Sequence, residues 1–193
     1  MTKPQERVRP KLPLEGERVD LRGLRDEDLD ALVAAANHDE IARWTHLPHP
    51  YTREHAANFI AYAQEKLRLG REFHLAIVER ESNQLIGMVG LTDIDAESER
   101  AEVAYWLAPE SWGRGLASEA LFLATEAAFT HMGLTRLYAF VLDGNTASIR
   151  MLERFGFHEE GRLRWHTKRD GRWMDKVWFG LLREEWNRRT GSA

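Results

Sequence analysis

The segment Trp112-Gly113-Arg114-Gly115-Leu116-Ala117 turns a strand-like run directly into a helix through two glycines and an arginine. That junction constrains the fold more than any other stretch of the chain. Glycine has no side chain to obstruct a positive φ or the close approach of a ligand, so successive backbone N–H groups can point into one concavity. The unsatisfied donors of a helix start add partial positive charge there, and Arg114 brings a full charge beside it. The pattern predicts an anion cradle suited to phosphate, beside the plainer reading of a tight strand-to-helix turn.

The periodicity around the junction places it within an α/β domain. Arg18 to Leu24 alternates as a strand, with Asp26 as N-cap of a helix reaching Asn37. A turn-like segment holding Trp44 and His46-Leu47-Pro48-His49-Pro50 follows. Thr52 then caps a second helix that stops at Gly70. Phe73 to Glu79, Leu85 to Ile94 and Ala101 to Leu107 read as an antiparallel meander. Helix resumes at Gly115 and stops near Gly133. Thr135 to Leu142 is a strand and Asn145 to Phe155 a short helix. Phe157 to Thr167 and Trp173 to Leu182 flank the hairpin turn Asp170-Gly171.

A chain of 193 residues suits one domain, expected over 16–188, with a flexible leader at 1–15 and a tail at 189–193. Without cysteine there is no thiolate nucleophile and no cysteine-held metal. The 27 Lys+Arg against 31 Asp+Glu are interspersed, which argues against nucleic acid as a partner despite the arginines of the C-terminal third. The charged, proline-bearing start does not resemble a signal peptide and no run approaches a membrane span, so a cytoplasmic protein is expected. His46 and His49 have metal-like spacing but no third ligand, and no metal is expected.

A P-loop would add a lysine with Ser/Thr after the glycines, and a dinucleotide fold an acidic residue about 20 positions on. Neither stands in the right place. The order of elements resembles instead the GNAT superfamily of acetyl-CoA-dependent N-acetyltransferases, over about Glu17 to Trp186. The superfamily motif [Q/R]-x-x-G-x-[G/A] is matched by Gly115 and Ala117 in its small positions, with Trp112 in place of Gln or Arg. Asn145-Thr146-Ala147-Ser148 leading to Gly156-Phe157 matches the next motif. The tryptophan variant, with AEVAYWL before it and RDGRWMDKVWFGLLREEW near the end, is similar to the RimJ/RimL-like, ribosomal-protein N-terminal acetyltransferase branch.

The resemblance implies a GNAT-type acyl-CoA N-acyltransferase fold, a mixed and mostly antiparallel sheet flanked by helices on both faces. It implies acetyl-CoA as co-substrate. The strand backbone at Trp106 and Leu107 would pair with the pantetheine arm. The amides of Gly113, Arg114, Gly115, Leu116, Ala117 and Ser118, in the turn opened by Trp112, would hold the pyrophosphate. Asn145 and Ser148 would line the thiol end. The tyrosine that many members place on the short helix falls here on Leu152, so Ser148 either assists the leaving thiolate or only binds cofactor and caps the helix.

Glu102 shares a strand face with Ala104 and Trp106 by the two-residue period. It accepts the amine's proton, directly or through water, or else is a solvent-facing carboxylate beside Arg100. An α-amine with pKa about 8 demands less of a base than a lysine near 10.4, which leans toward an N-terminal substrate. Trp44 and Tyr51 would wall an acceptor pocket, although core packing suits Trp44 equally. Asp175 fits a recurrent position of the branch or a cross-strand pair with arginine. Trp178, Phe179, Leu181 and Trp186 suit core or a homodimer surface. The expected reaction is direct acetyl transfer to a primary amine of a protein or peptide N-terminus. Small amines such as polyamines, amino acids or amine antibiotics, and a non-catalytic CoA sensor, are the alternatives.

Overall fold

The computed structural model describes residues 9–169 and 171–191. Eight strands form one sheet: β1 (Leu14–Glu15), β2 (Val19–Gly23), β3 (Phe73–Glu79), β4 (Gln84–Asp95), β5 (Arg100–Leu107), β6 (Arg136–Leu142), β7 (His158–Arg169) and β8 (Arg172–Leu182). Their spatial order is β1-β2-β3-β4-β5-β6-β8-β7. All neighbours are antiparallel except β5 and β6. The helices are α1 (Leu29–Ala36), α2 (Asp39–Trp44), α3 (Arg53–Leu69), α4 (Leu116–Glu126), α5 (Thr146–Phe155) and α6 (Arg183–Thr190).

Strand alternation sorts the core into two layers. Phe73, Leu75 and Ile77 of β3 join α4, α5 and Trp186 of α6 in the larger cluster, while Ala76 and Val78 pack against α1 and α3 in the other. A register shift skips Ile86 where Ile77 meets Gly87 and Val78 meets Leu85. A Cβ on Gly87 would sit 2.2 Å from the Trp106 carbonyl oxygen, so only glycine allows β4 to approach β5 there.

The parallel pair is short. Partners run Arg100↔Arg136, Ala101↔Leu137 and Glu102↔Tyr138, and from Val103 onward β5 leaves β6. The last five residues of β5 thus keep β4 on one side and, among the described residues, have no strand on the other. This split in the sheet positions the candidate site.

Most expected elements are present, with three differences. Asp26 does not cap the first helix; a 3-10 turn, Asp26–Asp28, precedes α1, and Asp28 accepts from the Arg25 N–H at 2.8 Å and from both Arg22 guanidinium nitrogens at 2.7 Å. Burial would raise the Asp28 pKa, but these partners outweigh it and hold the carboxyl below its usual range. The expected turn between the first helices contains α2, and the C-terminal segment forms α6. The sheet also begins at Leu14 and α6 ends at Thr190, inside the segments expected as leader and tail. Asp170 of the expected hairpin turn lies outside the described residues, while Gly171 has φ +76°.

The α3 start is a reciprocal cap: His55 N–H donates to Thr52 Oγ1 at 3.3 Å, and Thr52 N–H donates to His55 Nδ1 at 3.2 Å. Thr52→Ala is expected to lower stability by about 1 kcal/mol, read from the urea midpoint at unchanged slope.

Candidate active site

One lip of the split carries the glycine junction. After a 3-10 turn at Pro109–Ser111, Gly113 and Gly115 take φ +72° and +76°, and Gly115 leads into α4. Among the described residues the N–H groups from Gly113 to Ser118 donate to no acceptor. The first donors of α4 are open, as a helix start leaves them, and the left-handed glycines aim their neighbours around them. A Cβ on Gly113 would meet nothing within 4 Å, so the space beside that glycine is open among the described residues.

Side chains brace this turn rather than line it. Arg114 was expected to supply charge beside the cradle, but its guanidinium pairs with Glu79 at the end of β3. Its carbonyl accepts from Arg18 Nη1 at 2.8 Å, and Arg18 also pairs with Glu119 of α4 at 3.0 Å. Glu119 in turn takes the N–H of Arg18 and of Val19. Burial would raise the Glu119 pKa, yet these bonds hold it below the usual range. The indole of Trp112 donates to the Leu107 carbonyl at 2.7 Å, clipping the turn to the strand end. That carbonyl belongs to the strand backbone expected to meet a pantetheine arm. Trp106 packs its side chain against the second core cluster.

Across the split, Asn145 Oδ1 accepts the Ser148 N–H at 3.2 Å and caps α5. Ser148 Oγ lies 2.8 Å from Tyr105 Oη. Burial pushes the Tyr105 phenol up to about 12, against the opposing effect of its bond to Ser148. Sequence reasoning missed Tyr105, because its period-two neighbours Val103 and Leu107 read as core; a polar tip among such positions was the available signal. Leu152, the position of the absent tyrosine, is fully buried in the larger cluster.

Glu102 lies on the opposite face of β5, and among the described residues it has no ion-pair partner. The expected alternative is a solvent-facing carboxylate beside Arg100; Glu102 is instead half-buried, and Arg100 contacts Asp93 at 3.1 Å and Asp95 at 3.6 Å. Burial raises the Glu102 pKa; Lys176 lowers it and Asp93 raises it. Asp93 also accepts from the Tyr138 hydroxyl. Lys176 lies over the Phe140 ring at 4.7 Å. His46 is pushed down by burial, Arg169 and Lys176.

The remaining expected residues divide. Trp44 stands where a Cβ on Gly144, just before α5, would lie 3.6 Å from its ring, and Arg169 of β7 contacts Thr45 and His46. The end of α2 thus meets both the α5 entrance and the distal hairpin. Tyr51, expected to wall an acceptor pocket, is 3% exposed and packs within the second core cluster. Asp175 accepts the Trp165 N–H at 2.9 Å where β7 bulges, with Arg162 at 3.7 Å, and so braces the hairpin. His49 pairs with Asp39 at 2.9 Å, away from His46's partner. Among the described residues no group of three potential ligands could hold a metal, and no helix is long and apolar enough to cross a membrane.

A sheet opened at a parallel pair, with a glycine-built cradle on one lip, is the fold of the acyl-CoA N-acyltransferases. The chain belongs to the acetyltransferase (GNAT) domain family, matched over residues 18–158, and is an N-acetyltransferase. It is 34% identical over 171 residues to the uncharacterized N-acetyltransferase p20 of Bacillus licheniformis, spanning 88% of this chain and 96% of that one. Spermidine N(1)-acetyltransferase of Vibrio cholerae is 31% identical over 114 residues, 59% of this chain and 66% of that one. Mycobacterium smegmatis RimJ, solved with CoA-disulfide, shares the fold at TM-score 0.78 and 24% identity, over 90% of this chain and 89% of that one. Ribosomal-protein acetyltransferases of the RimJ/RimL-like branch are thus among its structural neighbours.

Proposed function

We propose that this N-acetyltransferase uses acetyl-CoA and acetylates the α-amine of a protein or peptide N-terminus. The observation that carries the reading is the split itself, with open N–H donors from Gly113 to Ser118 on one lip and an unpaired Glu102 beside Lys176 on the other face. The donors suit a pyrophosphate, and the free edge of β5 from Val103 to Trp106 suits an amide-bearing arm. When bound, acetyl-CoA supplies a thioester already reactive toward free amines, so placing the two together accounts for much of the rate.

Glu102 takes the proton that the attacking amine sheds, and Ser148 hydrogen-bonds the departing sulfur. An α-amine with pKa about 8 reaches neutrality at physiological pH far more readily than a lysine near 10.4, so a single half-buried carboxylate is enough. The cations near the acceptor side support the same choice. Lys176 and Arg169 would repel the second charge of a polyamine, whereas a peptide offers them carbonyl oxygens.

The similarity to a spermidine acetyltransferase keeps one rival in the test. Release of CoA thiol is measured with acetyl-CoA and a panel of peptides, free amino acids and spermidine. Peptides with free N-termini are expected to give the highest kcat/KM, and N-terminally blocked peptides none. Spermidine as the best acceptor would overturn the substrate assignment. Acetyl-CoA binding without thiol release for any amine would overturn the assignment of this chain's catalytic residues.

A further inference from the structure

Whether Ser148 can serve a departing sulfur depends on where its hydroxyl hydrogen points. Its Oγ lies 2.8 Å from Tyr105 Oη, and in a pair of hydroxyls either oxygen can donate. The surroundings select one direction. Tyr105 packs against the larger core, and among the described residues Ser148 Oγ is the only hydrogen-bond partner of its hydroxyl. Were Ser148 the donor, the phenol's own proton would have no acceptor among the described residues in this part-buried position, and a bond left unmade there carries a cost. With Tyr105 as donor both oxygens are satisfied, and the serine proton is free for a ligand. Burial keeps the phenol protonated throughout the working pH range.

We propose that Tyr105 is a positioning residue whose hydroxyl donates to Ser148 Oγ and so turns the serine's own proton toward the sulfur that leaves as the amide forms. The inference rests on the acetyl-CoA reading above. The amine's lone pair forms the N–C bond, its proton leaves to Glu102 or water, and the C–S bond breaks with its electron pair on sulfur. Ser148 gives that thiolate a hydrogen bond and keeps its proton; the sulfur takes one from water. Neither an alkoxide nor a tyrosinate forms. A donor chain of two hydroxyls polarises along its length, which makes the serine a stronger donor than it is alone.

The test needs no acceptor amine. The ultraviolet absorbance of the CoA thiolate is titrated against pH with wild-type protein in excess, giving the pKa of the bound thiol, and calorimetry measures CoA affinity in parallel. In the wild type that pKa is expected below the value for free CoA. Ser148→Ala should raise it by about one unit and Tyr105→Phe by about half a unit, with the double variant no higher than Ser148→Ala. A Tyr105→Phe protein that binds CoA with the wild-type thiol pKa, or a double variant in which the two shifts add, overturns the proposal. So does a Ser148→Ala protein with an unshifted pKa, or a Tyr105→Phe protein that no longer binds CoA, because the tyrosine would then shape the site instead of the serine proton. Wild-type protein that binds no CoA defeats the cofactor reading itself, which is a separate result.

Discussion

Gly115→Val weakens acetyl-CoA binding by about 100-fold or more, an expected loss of roughly 3 kcal/mol measured by calorimetry. Two effects combine. Gly115 holds φ +76°, a region that a β-branched residue enters only under strain. Relief of that strain rotates the peptide and turns the N–H groups at the start of α4 away from their common focus. The added Cβ would also stand 3.3 Å from Arg18 Nη2. Arg18 bonds the Arg114 carbonyl and pairs with Glu119, so displacing it loosens the brace that orients the turn. Gly113→Ala separates the two effects, because its φ is equally positive but its Cβ would meet no atom within 4 Å. It should cost about tenfold in Kd, from backbone strain alone. Unchanged affinity in Gly115→Val would mean that the junction is only a turn.

What the sequence could reveal here was local. Gly113 and Gly115 mark left-handed backbone whatever surrounds them, and Thr52 and Gly70 bound α3 by chemistry confined to a few residues. The near-continuous apolar runs of β3 and β4 follow from a sheet covered on both faces. The side-chain roles at the site were not local. Arg114 finds Glu79 and Tyr105 finds Ser148 only once strands and helices far apart in the chain are assembled. The period-two reading of β5 placed Glu102 and Trp106 on one face but could not show that Arg100 would be taken by Asp93 and Asp95. Helix α6 escaped notice because Arg183–Thr190 contains a single large apolar residue, Trp186, and one position has no period. Its burial against Phe122, Phe129 and Phe155, with its indole donating to Glu126, makes it helical through tertiary packing. The tyrosine missing at Leu152 has the opposite explanation: the position faces the core here.

Glu102→Gln tests the acceptor side, and the sign of each effect can be worked out beforehand. A general base acts as the carboxylate, so activity rises with pH through the Glu102 pKa. Burial has moved that pKa upward. The acid limb of kcat/KM should therefore lie above the range of an exposed glutamate, with a second rise near pH 8, marked by the acceptor's own amine. Glu102→Gln should lower kcat/KM by about 100-fold and abolish the first limb while leaving the second. Lys176 holds the Glu102 pKa down, so Lys176→Met should shift the first limb to higher pH. Stability should move the other way. A carboxyl whose pKa is raised by folding favours the native state in its protonated form, and that contribution is lost as pH rises through the folded-state value. At neutral pH the half-buried carboxylate, without an ion-pair partner among the described residues, is a cost to the fold, which the neutral amide removes. Glu102→Gln should accordingly melt no lower than the wild type, and a residue that lowers stability while raising the rate is serving the reaction. Retention of the wild-type rate and acid limb by the glutamine variant would assign the proton to water, and a lowered Tm would make Glu102 a structural residue.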